Sequence, residues 1–313
     1  MNTPRLTSLD QVVRAVKARG RAPRVAIAPC DEEFVLRAAL QAAKEGLAEP
    51  ILLGDMNRTR AVAERLGLDI GAFELQDCPD DTQAVTLAVD CFRQGRAELI
   101  MKGLVATSAV LKAVLVKDAG LVPPGGILSH VTVFDAPGRA PGQAGLMLLT
   151  DAGVNIRPTL QRKVEILKNA LAVARSLGIT RPRAAMLAAT EKVNYPAMPA
   201  TLDADIIAKM ADSGEFDDAF VAGPLALDLA VSPSAAAMKG VAGPVAGQAD
   251  ILCTPDIESG NILYKTLNSL MNLTLASVVV GSRVPIVVPS RGDTEHSKFA
   301  SIALAAYIAG GPQ

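Results

Sequence analysis

The stretch Arg24–Leu53, RVAIAPCDEEFVLRAALQAAKEGLAEPILL, decides the fold class. It opens on Arg24–Ala28 (RVAIA), an apolar run without polar alternation, as expected of a strand buried on both faces. A segment with helical spacing follows over Asp31–Glu45, and a second apolar run, Pro50–Leu53 (PILL), closes it. Strand, helix and strand in so short a stretch predict a right-handed βαβ crossover between parallel strands.

The pattern repeats outward. Strand-like runs recur at Glu98–Met101, Ile127–Phe134, Ala184–Ala188, Ala249–Cys253 and Val284–Val288. Helical periodicity is read from Ser8 to just before Gly20, with Gln11 at capping-box spacing, and over Asn57–Leu66, Asp81–Gln94, Thr107–Asp118, Leu160–Leu177, Leu202–Asp212, Ile257–Met271 and Asp293–Ala309. The expectation is an α/β protein with mostly parallel sheets covered on both faces. A length of 313 residues suits two domains, and the turn-rich segments Leu121–Gly126 (LVPPGG) and Ala136–Gly145 (APGRAPGQAG) are the boundary candidates.

Composition narrows the function. Half of the residues are hydrophobic, and 31 Lys and Arg against 32 Asp and Glu leave a formal charge of −1, which argues against both a disordered chain and a broad nucleic-acid footprint. Trp is absent and only 3% of the residues are aromatic, so few rings remain on which single-stranded bases would stack. Cys30, Cys78, Cys91 and Cys253 form neither a CxxC pair nor a metal-ligand cluster with His130 and His296, and a reducing, cytoplasmic setting is expected. No signal-peptide pattern and no run of apolar residues long enough to span a membrane is present, so no membrane partner is expected.

In open α/β sheets ligands bind at the carboxyl ends of strands, beside helix N-termini. Four strand-to-helix junctions stand out. In Val287–Ser297 (VVPSRGDTEHS), Arg291 offers a forked donor to phosphate, Gly292 permits close approach and Ser290 offers a donor to an oxyanion or leaving group; the ordinary alternative is a tight turn with Asp293 or Thr294 as helix cap. In Ile100–Ser108 (IMKGLVATS), Lys102, Gly103 and the hydroxyl of Thr107 or Ser108 suit an anion, against the alternative of a surface lysine beside a capped helix. Neither a Walker A loop nor a G-x-G-x-x-G is present. In the third, His130 within LSHVTVF reads first as a satisfied core residue, while Asp151 and Asn155 flank an Asx-type turn. In the fourth, Asn261 and Lys265 share a helix face beside Gly260, either for a ligand's polar end or as a packed glycine near an exposed lysine. Cys30 precedes three acidic residues, which favours an unreactive core thiol.

At these junctions the sequence resembles the phosphate acetyl/butyryltransferase family, nearer its butyryltransferase-like branch. The matching blocks are MKGLVATSAVLKAVL, LSHVTVFD, TDAGVNIRPTLQRKVEILKNA, GPLALDLAVS, ADILCTPDIESGNILYKTL and VPSRGDTEHSKFASIALA. The resemblance implies two α/β domains of the isocitrate/isopropylmalate-dehydrogenase-like type, residues 1–135 plus 286–313 and residues 136–285, with the active site in the cleft between them, and a homodimer. It implies interconversion of a short-chain acyl-CoA and orthophosphate with acyl phosphate and CoA, without metal or nicotinamide. Ser290 and Arg291 match the family's Ser-Arg pair. Together with the junctions, the expected site comprises Ser290, Arg291 and Asp293 for catalysis, with Lys102, Gly103, Thr107, Ser129, His130, Arg139, Asn261, Lys265 and Gly292 for phosphate and CoA. Acetyltransferases carry an Asp seven residues after the motif Ser, where this chain has Ser297; Asp293, Glu295 and His296 are the nearby substitutes. Two other readings stay open: a metal- and NAD(P)-dependent dehydrogenase on the related fold, and a catalytically inactive CoA-binding relative.

Overall fold

A computed structural model describes residues 4–116, 120–136 and 145–311. Its two compact units are Leu9–Leu128 with Thr274–Gln313, and the residues up to Ser8 with Ser129–Leu273. The C-terminal segment Thr274–Gln313 thus falls in the same unit as Leu9–Leu128. Strand β5 (Ser129–Asp135) belongs to the second unit because its residues pair antiparallel with β6 (Leu146–Thr150), and β10 (Ala276–Val280) belongs to the first because it pairs with β11 (Ile286–Val287). The N-terminal residues join the second unit through the Leu6 N–H, which donates to the Leu177 carbonyl at 2.9 Å.

The first unit holds α1 (Leu9–Lys17), β1 (Arg24–Ala28), α2 (Glu33–Lys44), β2 (Glu49–Gly54), α3 (Met56–Leu66), β3 (Glu74–Asp77), α4 (Asp81–Arg93), β4 (Leu99–Lys102), α5 (Thr107–Leu115), β10, β11 and α11 (Glu295–Ala309). Its strands lie in the order β3-β2-β1-β4-β11-β10, parallel throughout except for β10. The chain leaves β1 toward β2 on one side and comes back to β4 on the other. This reversal is the switch point at which doubly wound sheets bind ligands. Four residues of β1 and all four of β4 are buried, as the unbroken apolar runs predict.

The second unit holds β5, β6, α6 (Leu160–Ser176), β7 (Arg183–Leu187), α7 (Pro199–Asp212), β8 (Phe220–Leu225), α8 (Leu227–Val231), α9 (Pro233–Met238), β9 (Ile251–Cys253) and α10 (Ile257–Lys265), which runs into a π-helical turn, Thr266–Leu270. Its strand order is β5-β6-β9-β7-β8, parallel from β6 onward. Strands β3, β6, β8 and β10 escape the sequence reading; for β3 and β8 the reason is chemical, since ELQD is polar and FVAGPL contains Gly and Pro, which ordinarily count against a strand. The predicted helix from Asp293 begins two residues later, because Thr294 is its cap and accepts the Ser297 N–H.

The close approach of β1 and β4 depends on Gly103. Its N–H donates to the Ala28 carbonyl at 2.9 Å, and a Cβ built on it would lie 1.7 Å from the Pro29 carbonyl oxygen. The obstruction is backbone, which cannot move aside cheaply. Gly103→Ala should destabilise the chain by at least the upper part of the ~1–3 kcal/mol usual for overpacking. Gly292→Ala, with no atom within 4 Å of the added carbon, should stay within ~0.5 kcal/mol of the unsubstituted chain. Urea unfolding of the two variants in parallel measures both; equal midpoints would contradict the packing argument.

Candidate active site

Because β1, β4 and β11 run parallel, their carboxyl ends face the same way. Lys102 ends β4 level with Ala28, and Val287 ends β11 level with Met101. Lys102 is only 9% exposed, and its Nζ donates to the carbonyls of Gly103 and Val105, both at 3.0 Å. The loop is thus wrapped around a buried ammonium, which is not the surface lysine of the ordinary alternative. Burial, and secondarily the charge of Arg291, lower its pKa. At the start of α5 the cap position is Ala106, with no side-chain cap, so neither Thr107 nor Ser108 satisfies the helix start. Thr107 itself is half-buried.

After β11 the chain turns through Ser290, Arg291 and Gly292 into α11. Arg291 and Gly292 are exposed, whereas Ser290 is half-buried. Asp293 does not occupy the position of a free base. It is 8% exposed, its Oδ2 accepts the Ser290 N–H at 2.7 Å, and its own N–H donates to the Ser290 carbonyl at 3.1 Å. Its carboxylate is thereby held beneath the turn and shapes it. Ser297 is 1% exposed and its Oγ accepts the Leu275 N–H at 3.0 Å, so this position ties α11 to the approach to β10. Glu295 and His296 are exposed on the first helical turn.

Two features escaped the sequence reading. Lys298 is 5% exposed, donates from Nζ to the Asp293 carbonyl at 2.6 Å and lies 5.2 Å over the Phe34 ring. Its signal was available: a lysine in the first turn of a helix that is otherwise almost wholly buried. Asp31, 6% exposed just after β1, pairs with Arg58 at 2.5 Å. Beside it, burial pushes the Cys30 thiol up to about 11, in line with an unreactive core cysteine.

In the second unit the candidates gather around the loop after β6. Asp151 accepts the N–H groups of Gly153 (2.8 Å), Val154 (2.9 Å) and Asn155 (3.2 Å), and Nδ2 of Asn155 at 2.6 Å, which makes it the organiser of an Asx-type turn. His130, 7% exposed, packs on Gly153 and meets Tyr264 edge-on at 5.9 Å, while Lys265 lies 5.0 Å over the same Tyr264 ring. Asn261 is exposed and donates to the Ala152 carbonyl at 3.4 Å. Gly260 is the packed glycine of the ordinary alternative, since a Cβ there would lie 2.5 Å from the Asp151 carbonyl oxygen. Ser129 stands apart: it has no exposed surface, and Nδ2 of Asn169 donates to its Oγ at 2.9 Å, so its place is in the packing against α6. Arg139 lies outside the described residues. A cavity of about 390 Å³ lined by Arg181, Phe220 and Val245, among others, contains none of the candidate residues.

The buried Lys102 has a consequence for pH. An unfolded lysine titrates near ~10.4. The folded chain releases this proton at lower pH, so between the two values the unfolded chain binds more protons and stability rises with pH. Wild type should therefore gain stability relative to Lys102→Met as pH is raised from about 8 toward 10, a window set by the ordinary lysine value. Urea titrations across that range measure the difference, and a flat difference would show that Lys102 is not perturbed.

The model of the phosphate acetyl/butaryl transferase family matches residues 8–92 and 80–306 of this chain. The phosphate butyryltransferase of Clostridium acetobutylicum is 40% identical over 305 residues, covering 97% of this chain and 99% of that one. The phosphate acetyltransferase of Thermotoga maritima is 38% identical over 292 residues, covering 93% and 97%. Among solved structures, a branched-chain phosphotransacylase from Enterococcus faecalis superposes with a TM-score of 0.80 at 34% identity, covering 92% of this chain and 99% of that chain. A 4-hydroxythreonine-4-phosphate dehydrogenase from Klebsiella pneumoniae, at a TM-score of 0.56 and 13% identity, shares the fold alone. With a family match along nearly its whole length and relatives matched end to end, the chain belongs to the phosphate acetyl/butyryl transferase family.

Proposed function

We propose that the protein is a phosphate acyltransferase that interconverts a short-chain acyl-CoA and orthophosphate with acyl phosphate and CoA. The observation that supports this reading is the buried Lys102 at the end of β4, beside a strand, β11, that leads into the turn carrying Arg291, whose charge adds to burial in disfavouring the Lys102 ammonium. Like charges held together repel, and an anion between them removes the repulsion. Phosphate is such an anion, and the fork of Arg291 matches its oxygens.

In this reading a phosphate oxygen attacks the thioester carbonyl; the C–O bond forms, the C–S bond breaks, and the phosphate proton ends on the CoA sulfur. Arg291 and Lys102 hold phosphate against the carbonyl, and Ser290 donates to the carbonyl oxygen or the departing sulfur. These are tasks of positioning and charge stabilisation. A thiol of pKa ~8.5 leaves readily as thiolate without a protein acid, and in the reverse direction the same pKa lets the thiol attack without a strong protein base. Of the second unit's candidates, Asn261 and Lys265 are assigned to CoA, and His130 to the support of that surface. Neither metal nor nicotinamide enters the reaction.

We further assign the protein to the cytoplasm, supported by four free, buried cysteines; among the described residues no helix is long and apolar enough to cross a membrane. A homodimer is supported by exposed Ile262, Leu270 and Met271 on α10 and the turn after it, and sedimentation of the purified chain tests it.

Thiol should appear from acetyl- or butyryl-CoA only when phosphate or arsenate is added. Arg291→Ala should lower kcat/KM by about 10²- to 10³-fold while leaving the unfolding midpoint unchanged. Phosphate-independent release, or cofactor reduction with Mg²⁺ in place of thiol release, would overturn the reading; CoA binding without transfer would indicate an inactive relative.

A further inference from the structure

We propose that Lys298 is a positioning residue that fixes the Ser290–Gly292 turn for acyl transfer. The proposal rests on the acyl-transfer reading and adds to it a residue with no direct part in the chemistry.

Lys298 is the fourth residue of α11 and is 5% exposed. Two rules of folding disfavour a lysine there. A charge leaving water is stabilised only by good partners, and a cation in the first turn of a helix meets the positive end of the helix dipole. Among the described residues it has no carboxylate partner at ion-pair distance. Its Nζ instead donates to the backbone carbonyl of Asp293 at 2.6 Å and faces the ring of Phe34 from α2 at 5.2 Å.

The destination of that hydrogen bond gives the residue its purpose. Asp293 is the pivot of the turn: its carboxylate accepts the Ser290 N–H and its own N–H returns to the Ser290 carbonyl. Lys298 grips the third polar group of the same residue. Serine and arginine are thus carried on a loop whose pivot is held by a charged donor from the first turn of α11, set against the Phe34 ring of α2. A turn held at one residue by three hydrogen bonds keeps its geometry when phosphate binds, which is what preorganised transfer needs.

Lys298→Met keeps the length and packs on the Phe34 ring, but removes the donor. The expected result is a kcat about 10- to 100-fold lower, with KM for acyl-CoA within about twofold of wild type and an unfolding midpoint close to it. In an Asp293→Ala background, where the Ser290 N–H has lost its acceptor while the backbone carbonyl gripped by Lys298 remains, the same substitution should cost less kcat than it does in wild type. A Met variant with wild-type kcat, a KM that rises as much as kcat falls, or an undiminished loss in the Asp293→Ala background would overturn the proposal. Should the Met variant not fold, Lys298→Arg carries the test, since its displaced donor should lower kcat at constant KM; unchanged kcat would count against the proposal. Wild type is assayed first. Absence of phosphate-dependent thiol release there fails the acyl-transfer reading itself, whereas an active wild type beside an equally active variant fails this proposal alone.

Discussion

The backbone of Gly103 lies so close to the Pro29 carbonyl that no side chain fits between them, and the rest of the first unit's chemistry depends on that approach. It sets the loop after β4 against the end of β1. The Gly103 and Val105 carbonyls then close over the Lys102 ammonium, and the parallel register carries the same level across to β11. Strand β11, which returns from the C-terminal part of the chain, leads from that level into the turn that carries Ser290 and Arg291. The discontinuous chain path is therefore what completes the site.

Charge explains why such an arrangement is retained. Three cationic side chains, Lys102 at the end of β4, Arg291 in the turn after β11 and Lys298 in the first turn of α11, belong to this edge of the unit, and Lys102 and Lys298 are buried. Folding alone favours none of this: burial and like charge both act against the ammonium of Lys102. The carboxylate that accompanies them, Asp293, is committed to the Ser290 N–H. A surface of this kind is stable with respect to its own backbone bonds, and becomes more so with an anion present.

How far the sequence discloses this follows the physics of each signal. RVAIA, ELIM and the helices between them are legible because burial on both faces leaves an unbroken apolar run. The strand FVAGPL is not, since its partners, more than its residues, make it a strand. Lys102 was found as a lysine beside a glycine, but its burial and its two carbonyl partners depend on the fold of the loop. For Asp293 the residue was identified and the role was not: an Asp near a Ser looks the same in sequence whether its carboxylate faces substrate or the backbone. His130, Asp151 and Gly260 went the other way, their ordinary readings being legible because burial, turn spacing and small size are local signals. Lys298 shows the limit, for a lysine is counted as solvated until packing places a ring over it.

Ser297 stands where the family resemblance implies an acid. The resemblance implies an Asp there, seven residues past Ser290, as a candidate base for the CoA thiol. In this chain the corresponding Ser297 is enclosed, and its hydroxyl accepts the Leu275 N–H, fastening the segment that leads into β10. A carboxylate in that enclosed place would need partners for a charge as well as for a shape. The thiol needs less help than an alcohol would, because its pKa of ~8.5 leaves a usable thiolate fraction near neutrality. In the proposed reaction the larger demand is neutralisation of phosphate while it approaches an electrophilic carbonyl, the task proposed for Lys102 and Arg291. A serine at 297 beside cations at 102 and 291 is consistent with the proposed reaction: the proton is the cheaper particle to leave to solvent, and the phosphate is the one that must be held.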